Sequence, residues 1–156
     1  MINFSSNWQG YFEKCGLKTE ADFYNYADGD IINSNQKRNV TKFVIEDGTE
    51  NKTFYMKRFF NQHFKDIVFA FKNYRRIMTL GELEWENANF LLQNGTETYR
   101  PVCVGVISRN IGNMCSFVIT EELAGDCLAD IVAEKWQDFA VNTQTNILDA
   151  TASLAA

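Results

Sequence analysis

The position of one lysine, Lys57, suggests that it binds phosphate. Lys57 lies in the segment FYMKRFF, and because side chains alternate along a strand it shares one face with Tyr55 and Phe59. A lysine among aromatic side chains is costly unless a carboxylate or another anion pairs with it. Taken alone, the segment leaves open an ordinary lysine on an edge strand.

A glutamate supplies the partner that such a lysine needs. At about 100° per residue, the apolar Leu80 and Ala88 lie about 40° to either side of Glu84 on a helix. Glu84 therefore falls in an apolar stripe, where a carboxylate needs a cation, and Lys57 is the natural one. Kinases use a lysine–glutamate pair of this kind to hold the lysine on the α- and β-phosphates of ATP.

The elements that must position this pair follow the order β-β-β-(α)-α-β-β, which is the order of a kinase small lobe. Thr79 and Glu82 match a capping box at the start of the glutamate's helix, and Gly95 supplies its stop. Residues 1–18 are expected to form an amphipathic lead-in, and 47–48 a tight turn. Strands are predicted at 21–27, 39–46, 52–60, 101–108 and 116–121, and helices at 61–78, 80–94, 126–139 and about 143–156.

Two more segments could complete a nucleotide site. The stretch 28–39 could form a phosphate-covering hairpin, but it holds one glycine, and its asparagines and serine are equally consistent with a simple polar hairpin. The segment FVITEELAGDCLADIV leads from an apolar strand through two acids to a helix start. A connector of this kind can present backbone N–H and C=O groups to an adenine edge.

Composition excludes several classes of protein. With 156 residues, 46% of them hydrophobic, the chain can form one domain with a real core and is not disordered. It has no apolar run long enough to span a membrane, and its N-terminus lacks the features of a signal peptide. The four cysteines form no C-x-x-C pair and the single histidine has no partner at ligand spacing, so we expect reduced cytoplasmic thiols and no structural zinc.

The charge is unevenly distributed along the chain. The net charge is −5, yet the segment 57–76 holds six basic residues and one acid, which leaves −10 on the remainder. An acidic protein is an improbable nucleic-acid binder. The basic segment indicates either an anionic substrate or membrane surface, or a solvated helix face.

Four segments together carry a family resemblance: YMKRFF, GELEWENANFLLQNG, RPVCVGVI and SFVITEELAG. Over roughly residues 20–156 the chain resembles the lipopolysaccharide core kinases, the Kdo and heptose kinases. The resemblance implies an α+β, protein-kinase-like fold, with ATP and Mg²⁺ used to phosphorylate inner-core sugars. It divides the chain into a small lobe, 1–123, with a five-stranded antiparallel sheet and a helix like αC, and the start of a large lobe, 124–156.

The resemblance also assigns roles to single residues. Lys57 is implied as the lysine that binds the ATP phosphates, and Glu84 as its helix partner. Thr120 takes the gatekeeper position behind the adenine pocket. Glu121 and Leu123 are implied to hydrogen-bond adenine through their backbone in the hinge.

The resemblance also implies which segments contact the nucleotide and the acceptor. Gly29 would lie at the nucleotide-covering hairpin. The basic, aromatic segment 58–76 would face an anionic glycolipid, which implies a cytoplasmic protein with peripheral contact to the inner membrane. Charge reversal at Arg75 and Arg76 is expected to weaken binding to anionic vesicles.

The sequence departs from the family beyond its last helix. The family's catalytic aspartate lies in an H-x-D-type loop and a metal-binding aspartate follows it, and neither segment occurs here; TNILDATASLAA resembles the helix that leads into that loop. We expect a piece of a longer kinase rather than a natural remnant, inactive by itself, with its Mg²⁺ ligands outside the chain. A non-catalytic, pseudokinase-like nucleotide-binding module, a kinase with another acceptor and a ligand-free structural domain remain alternatives.

Overall fold

The chain forms an antiparallel sheet flanked by helices. The computed structural model describes residues 1–5, 8–46, 51–123, 125 and 131–155. Within these residues the chain divides into two compact units, 1–123 and 124–156. The sheet has six strands in the order β1-β5-β6-β4-β3-β2, with bounds β1 (Ile2–Phe4), β2 (Asp30–Ser34), β3 (Arg38–Glu46), β4 (Asn51–Phe59), β5 (Pro101–Ser108) and β6 (Cys115–Glu121).

The α+β class is confirmed, but the sheet has six strands instead of five. The strand predicted at 21–27 is wrong, because this segment holds the helix α2 (Glu20–Tyr24). Thr19 and Asp22 form a reciprocal capping box at its start, with the Asp22 carboxylate accepting from the backbone N–H of Thr19 at 2.7 Å. This local hydrogen bonding fixes a helix where the aromatic composition had suggested a strand.

An aromatic layer covers one face of the sheet. The segment 1–18, predicted as an amphipathic lead-in, holds β1 and the helix α1 (Trp8–Lys14). Phe12 of α1 meets Phe23 of α2 edge to face at 5.2 Å, and Phe23 stacks on Phe117 of the sheet at 5.6 Å. Such pairs add to the stabilisation that burial itself provides.

Two longer helices lie between β4 and β5 in the chain. They are α3 (Phe64–Tyr74) and α4 (Leu80–Gln93), and they pack together through buried Ala70 and Leu83. The predicted start and stop of α4 are confirmed: Thr79 and Glu82 form the capping box, and Gly95 follows the helix with a φ of 76°. α3 is shorter than the predicted helix 61–78.

The second unit is mostly helical in its described part. A π-helical turn (Ile131–Lys135) and a 3₁₀ turn (Trp136–Asp138) precede the helix α5 (Val141–Ala155), whose prediction is confirmed. The helix predicted at 126–139 begins outside the described residues, as does the turn at 47–48. In the part of the chain that the structure describes, every helix is too short or too polar to cross a bilayer.

Candidate functional site

Lys57 lies in a central strand of the sheet. It pairs with Val40 of β3 on one side and Val118 of β6 on the other, so the alternative of an edge-strand lysine does not apply. Directly opposed side chains share a face. On this face Phe59 and Val118 are buried, with Trp85 of α4 packed against them, and the lysine therefore emerges beside an apolar cluster under α4.

The predicted ion pair between β4 and α4 is present. The Nζ atom of Lys57 lies 2.8 Å from Oε2 of Glu84, and the two side chains are 27% and 26% exposed. A pair with this much contact with water adds about 1 kcal/mol or less to stability. Its clearest consequence is positional, because it fixes the direction of the ammonium group.

A glycine allows α4 to approach the sheet closely enough for this pair to form. The backbone N–H of Gly81 donates to Oγ of Ser116 in β6 at 3.1 Å. A Cβ at residue 81 would lie 2.9 Å from that oxygen and 3.1 Å from the carbonyl oxygen of Phe117. The sequence placed Gly81 in the first turn of this helix but did not indicate the close contact, since nothing in a single sequence shows which surface a glycine faces.

The first turn of α4 is also tied to the end of β5. Arg109 donates two hydrogen bonds to the Glu82 carboxylate, at 2.9 and 2.6 Å, and the backbone N–H of Thr79 donates a third at 2.9 Å. Burial alone would raise the pKa of Glu82, but these bonds outweigh it and hold the pKa below its ordinary value. The turn that precedes Glu84 is therefore anchored at both its backbone and its side chains.

The residues expected at the adenine pocket lie along the end of β6. Thr120 is buried and pairs with Tyr55, so it shares the face of Lys57. The backbone N–H of Glu121 donates to the carbonyl of Arg100 at 3.0 Å, and Leu123 is 64% exposed. The structure thus brings Thr120 to the same face as the ion pair and leaves Leu123 open to solvent.

A polar cluster that the sequence did not indicate adjoins this segment. Oε1 of Glu122 accepts hydrogen bonds from Nζ of Lys42 at 2.9 Å and from the Tyr55 hydroxyl at 3.1 Å. These two bonds hold the pKa of the exposed Glu122 carboxylate below its ordinary value. Lys42 and Tyr55 pair across the β3–β4 register, so the cluster fastens the residues after β6 to two neighbouring strands.

Gly29 does not lie at the turn of the predicted hairpin. It precedes β2, and the turn to β3 lies at the opposite end of that strand, at 35–37. Its φ of 153° and the approach of the Lys42 carbonyl, which would be 2.5 Å from a Cβ, explain a glycine there without a ligand. At the turn itself, Oδ1 of Asn35 accepts from the backbone N–H groups of Lys37 and Arg38 at 2.8 and 2.9 Å.

Comparison with known proteins identifies the family. The sequence model of the lipopolysaccharide kinase (Kdo/WaaP) family matches residues 23–156. The chain belongs to this family. Its membership agrees with the resemblance in the four segments quoted above, and it makes this chain a member of a kinase family that acts in lipopolysaccharide synthesis.

A solved structure gives the same answer for the fold of this Kdo/WaaP family member. The structure described as WaaP in complex with acyl carrier protein has a TM-score of 0.57 and 15% sequence identity to the chain, over 88% of this chain and 46% of that one. At this identity the likeness shows the fold alone, which is the predicted kinase-like one. The chain spans less than half the length of that protein, and no curated protein matches it.

One more aromatic residue of this Kdo/WaaP family member contacts both members of the ion pair. The ring centroid of Tyr99, in the connection from α4 to β5, lies 5.3 Å from Nζ of Lys57. Its hydroxyl donates a long hydrogen bond of 3.4 Å to the backbone carbonyl of Glu84. Burial, followed by the nearby Glu84 charge, raises the pKa of Tyr99 to about 12. Sequence reasoning missed this residue because a connecting segment has no periodicity to reveal its neighbours.

A metal ion would need a group of ligand side chains that lie close together. Within the described ranges, which omit 6–7, 47–50, 124, 126–130 and 156, no three His, Cys, Asp or Glu side chains cluster so as to hold a metal ion. The described residues therefore provide no ready-made cluster of three such ligands for Mg²⁺.

Proposed function

We propose that this chain is the ATP-binding part of a kinase that phosphorylates the Kdo or heptose inner core of lipopolysaccharide. In this proposal residues 1–123 are the small lobe and 124–156 begin the large lobe. The observation that carries it is the Lys57–Glu84 ion pair, on the same sheet face as Thr120. Membership of the Kdo/WaaP family supports the kinase reaction and the class of acceptor.

The proposed roles follow from the geometry. The Lys57 ammonium binds a nucleotide phosphate, and Glu84 keeps it directed there instead of towards solvent. Thr120 forms the back of the adenine pocket, and the backbone of Glu121 and Leu123 hydrogen-bonds the base. Magnesium, when bound, neutralises charge on the phosphates; we place its ligands and the catalytic aspartate in other parts of the protein and assign phosphoryl transfer to the whole protein.

The covering hairpin needs a different assignment from the one expected. We infer that the turn at 35–37 covers the phosphates, whereas Gly29 shapes the start of β2. Support comes from the position of the turn at the far end of β2. Because Asn35 already accepts from the backbone N–H groups of Lys37 and Arg38, this turn covers the phosphates by its position and does not bind them as a glycine-rich loop would.

An ATP titration tests the proposal. The chain, and separately the whole protein, is titrated with ATP and Mg²⁺ while bound nucleotide is followed by calorimetry. Saturable binding that is at least about tenfold weaker in Lys57→Met supports the nucleotide site, and no binding by either protein overturns it. Transfer of labelled phosphate from ATP to Kdo-containing lipid A then decides the acceptor, since binding without transfer favours the pseudokinase-like alternative.

We further propose that α3 contacts an anionic membrane or glycolipid surface. The observation behind this is an exposed set of aromatic and basic side chains, here called the α3 surface: Phe64, Lys65, Phe69, Phe71, Lys72 and Arg75. Exposed aromatic rings beside basic groups suit the boundary between lipid headgroups and acyl chains.

The α3 surface is narrower than the predicted segment 58–76. Arg58 does not belong to the α3 surface. Its side chain is 8% exposed and donates to the Tyr24 carbonyl, in the N-terminal layer on the opposite face of the sheet. Arg76 is exposed but pairs with Glu86 at 2.5 Å. A protein occupant is the competing outcome, and acyl carrier protein is the first one to test because the similar WaaP structure contains it.

A further inference from the structure

Two groups contact the Lys57 ammonium in the described part of the chain. Glu84 binds it directly at 2.8 Å, and the ring of Tyr99 lies 5.3 Å from it. A lysine side chain has four rotatable bonds, and one partly exposed carboxylate leaves it free to exchange between water and the pair. An aromatic ring beside the ammonium attracts the cation and excludes water from that side.

Tyr99 also touches the helix that carries the carboxylate. Its hydroxyl donates to the backbone carbonyl of Glu84 at 3.4 Å, so the residue links the connection before β5 to α4 at the position of the ion pair. A tyrosine hydroxyl is protonated, and hence a donor, at neutral pH, and the raised pKa of Tyr99 keeps it so in alkaline solution as well. One side chain thus contacts the cation and the backbone that places its anion.

We propose that Tyr99 is a positioning residue that holds the Lys57 ammonium against Glu84 in the orientation that receives a phosphate group. The receipt of phosphate rests on the proposed function, whereas the placement of the ammonium does not. A side chain that is already ordered loses less freedom when a ligand binds. Loss of the ring should therefore weaken nucleotide binding even though Tyr99 itself need not touch the nucleotide.

Nuclear magnetic resonance of isotope-labelled lysine in the 156-residue chain tests the placement. Lys57→Met identifies the Lys57 signals. An ammonium beside a ring predicts ε-methylene protons displaced by the ring current in the wild type, kept so in Tyr99→Phe and returned to the values of exposed lysines in Tyr99→Leu. Tyr74→Leu is the matched control, since Tyr74 bonds Asn87 at 2.6 Å outside the site.

The wild-type spectrum alone can overturn the proposal, even if Tyr99→Leu does not fold. An undisplaced Lys57 signal in the wild type contradicts it, and so does a folded Tyr99→Leu with an unchanged signal or a Tyr74→Leu with the same change. For nucleotide, Tyr99→Leu should weaken ATP affinity by about three- to fivefold, the size of a cation–π contact, and add nothing to Lys57→Met. Absence of ATP binding by the wild type would instead overturn the proposed function and leave the lysine signal as the measure of Tyr99.

Discussion

The ammonium of Lys57 lies 2.8 Å from the carboxylate of Glu84 and joins a central strand of the sheet to α4. Lys57→Met should weaken ATP binding by roughly ten- to hundredfold, because a hydrogen bond to a charged group contributes about 1.5–3 kcal/mol. Glu84→Gln should weaken it less, since the lysine remains but is less well directed. Calorimetric titration measures both, and urea unfolding should show a loss of about 1 kcal/mol or less.

Lys14→Met is the control for this pair, since Lys14 lies on α1 in the layer over the opposite face of the sheet. It should leave ATP affinity unchanged. Equal losses in Lys14→Met and Lys57→Met would show that the titration reports general stability, and would count against the site.

Buried Arg58 should stabilise the N-terminal layer. It donates to the Tyr24 carbonyl at 2.7 Å, to the Thr41 hydroxyl at 2.8 Å and to the Tyr26 carbonyl. Arg58→Met leaves these acceptors without their donor, and we expect it to lower the free energy of unfolding by about 2–4 kcal/mol. Urea denaturation measures the change. The exposed Arg38→Met should cost about 0.5 kcal/mol or less, and equal effects would contradict the assignment.

The lowered pKa of Glu82 predicts a loss of stability in acid. A carboxyl group whose pKa is lower in the folded state than in the unfolded state stabilises the folded protein. This stabilisation is complete above the unfolded-state pKa of about 4.3, and it is lost as the pH falls through the folded-state pKa. Glu82→Gln should therefore cost about 1–2 kcal/mol near neutral pH, through the cap and Arg109, and less as pH falls below about 4. Urea unfolding across this range tests it.

The exposed Glu97→Gln controls for the change of residue type. It should alter the free energy of unfolding little at any pH in the series. If the loss of unfolding free energy in Glu82→Gln stays the same at every pH in the series, the ionised form of the Glu82 carboxylate contributes nothing to stability.

Thiol labelling should separate Cys103 from the other described cysteines. Burial raises the pKa of the Cys103 thiol, and its side chain is fully inaccessible, whereas Cys15 and Cys115 are partly exposed. Reaction with a thiol reagent at mildly alkaline pH should modify the latter two first. Peptide mapping by mass spectrometry locates the label, and denaturation in urea should make Cys103 reactive. Early labelling of Cys103 in the native protein would contradict its place in the core.

Vesicle binding tests the α3 surface. Lys72→Glu combined with Arg75→Glu should weaken binding to phosphatidylglycerol vesicles more than about tenfold, since each basic group near an anionic surface contributes about 1 kcal/mol. Cosedimentation measures it, with Lys14→Glu and Lys18→Glu together as a control of equal charge change. Unchanged vesicle binding in the double variant, or no vesicle binding by the wild type, contradicts the proposed membrane contact. If the same double variant loses binding to acyl carrier protein but not to vesicles, the α3 surface is a protein interface.

Local signals account for the elements that sequence reasoning placed well. The capping box of Thr79 and Glu82 determines where α4 begins, and Gly95 determines where it ends. Each signal involves residues within about one helical turn of that end. Periodicity likewise put Lys57 and Glu84 on faces where each needed the other. The same kind of signal was present and missed at Thr19 and Asp22, where a capping box outweighed an aromatic composition.

The sequence by itself determined the class of fold, the limits of α4 and β5, and the faces of β4 and α4 on which Lys57 and Glu84 lie, because these depend on patterns of residue types along each segment. Tertiary structure alone decided that β1 adds a strand beside β5, that Gly81 brings α4 against β6, and that Tyr99 lies beside the ion pair. These contacts join segments far apart in the chain, and their energies depend on distances that no local pattern records.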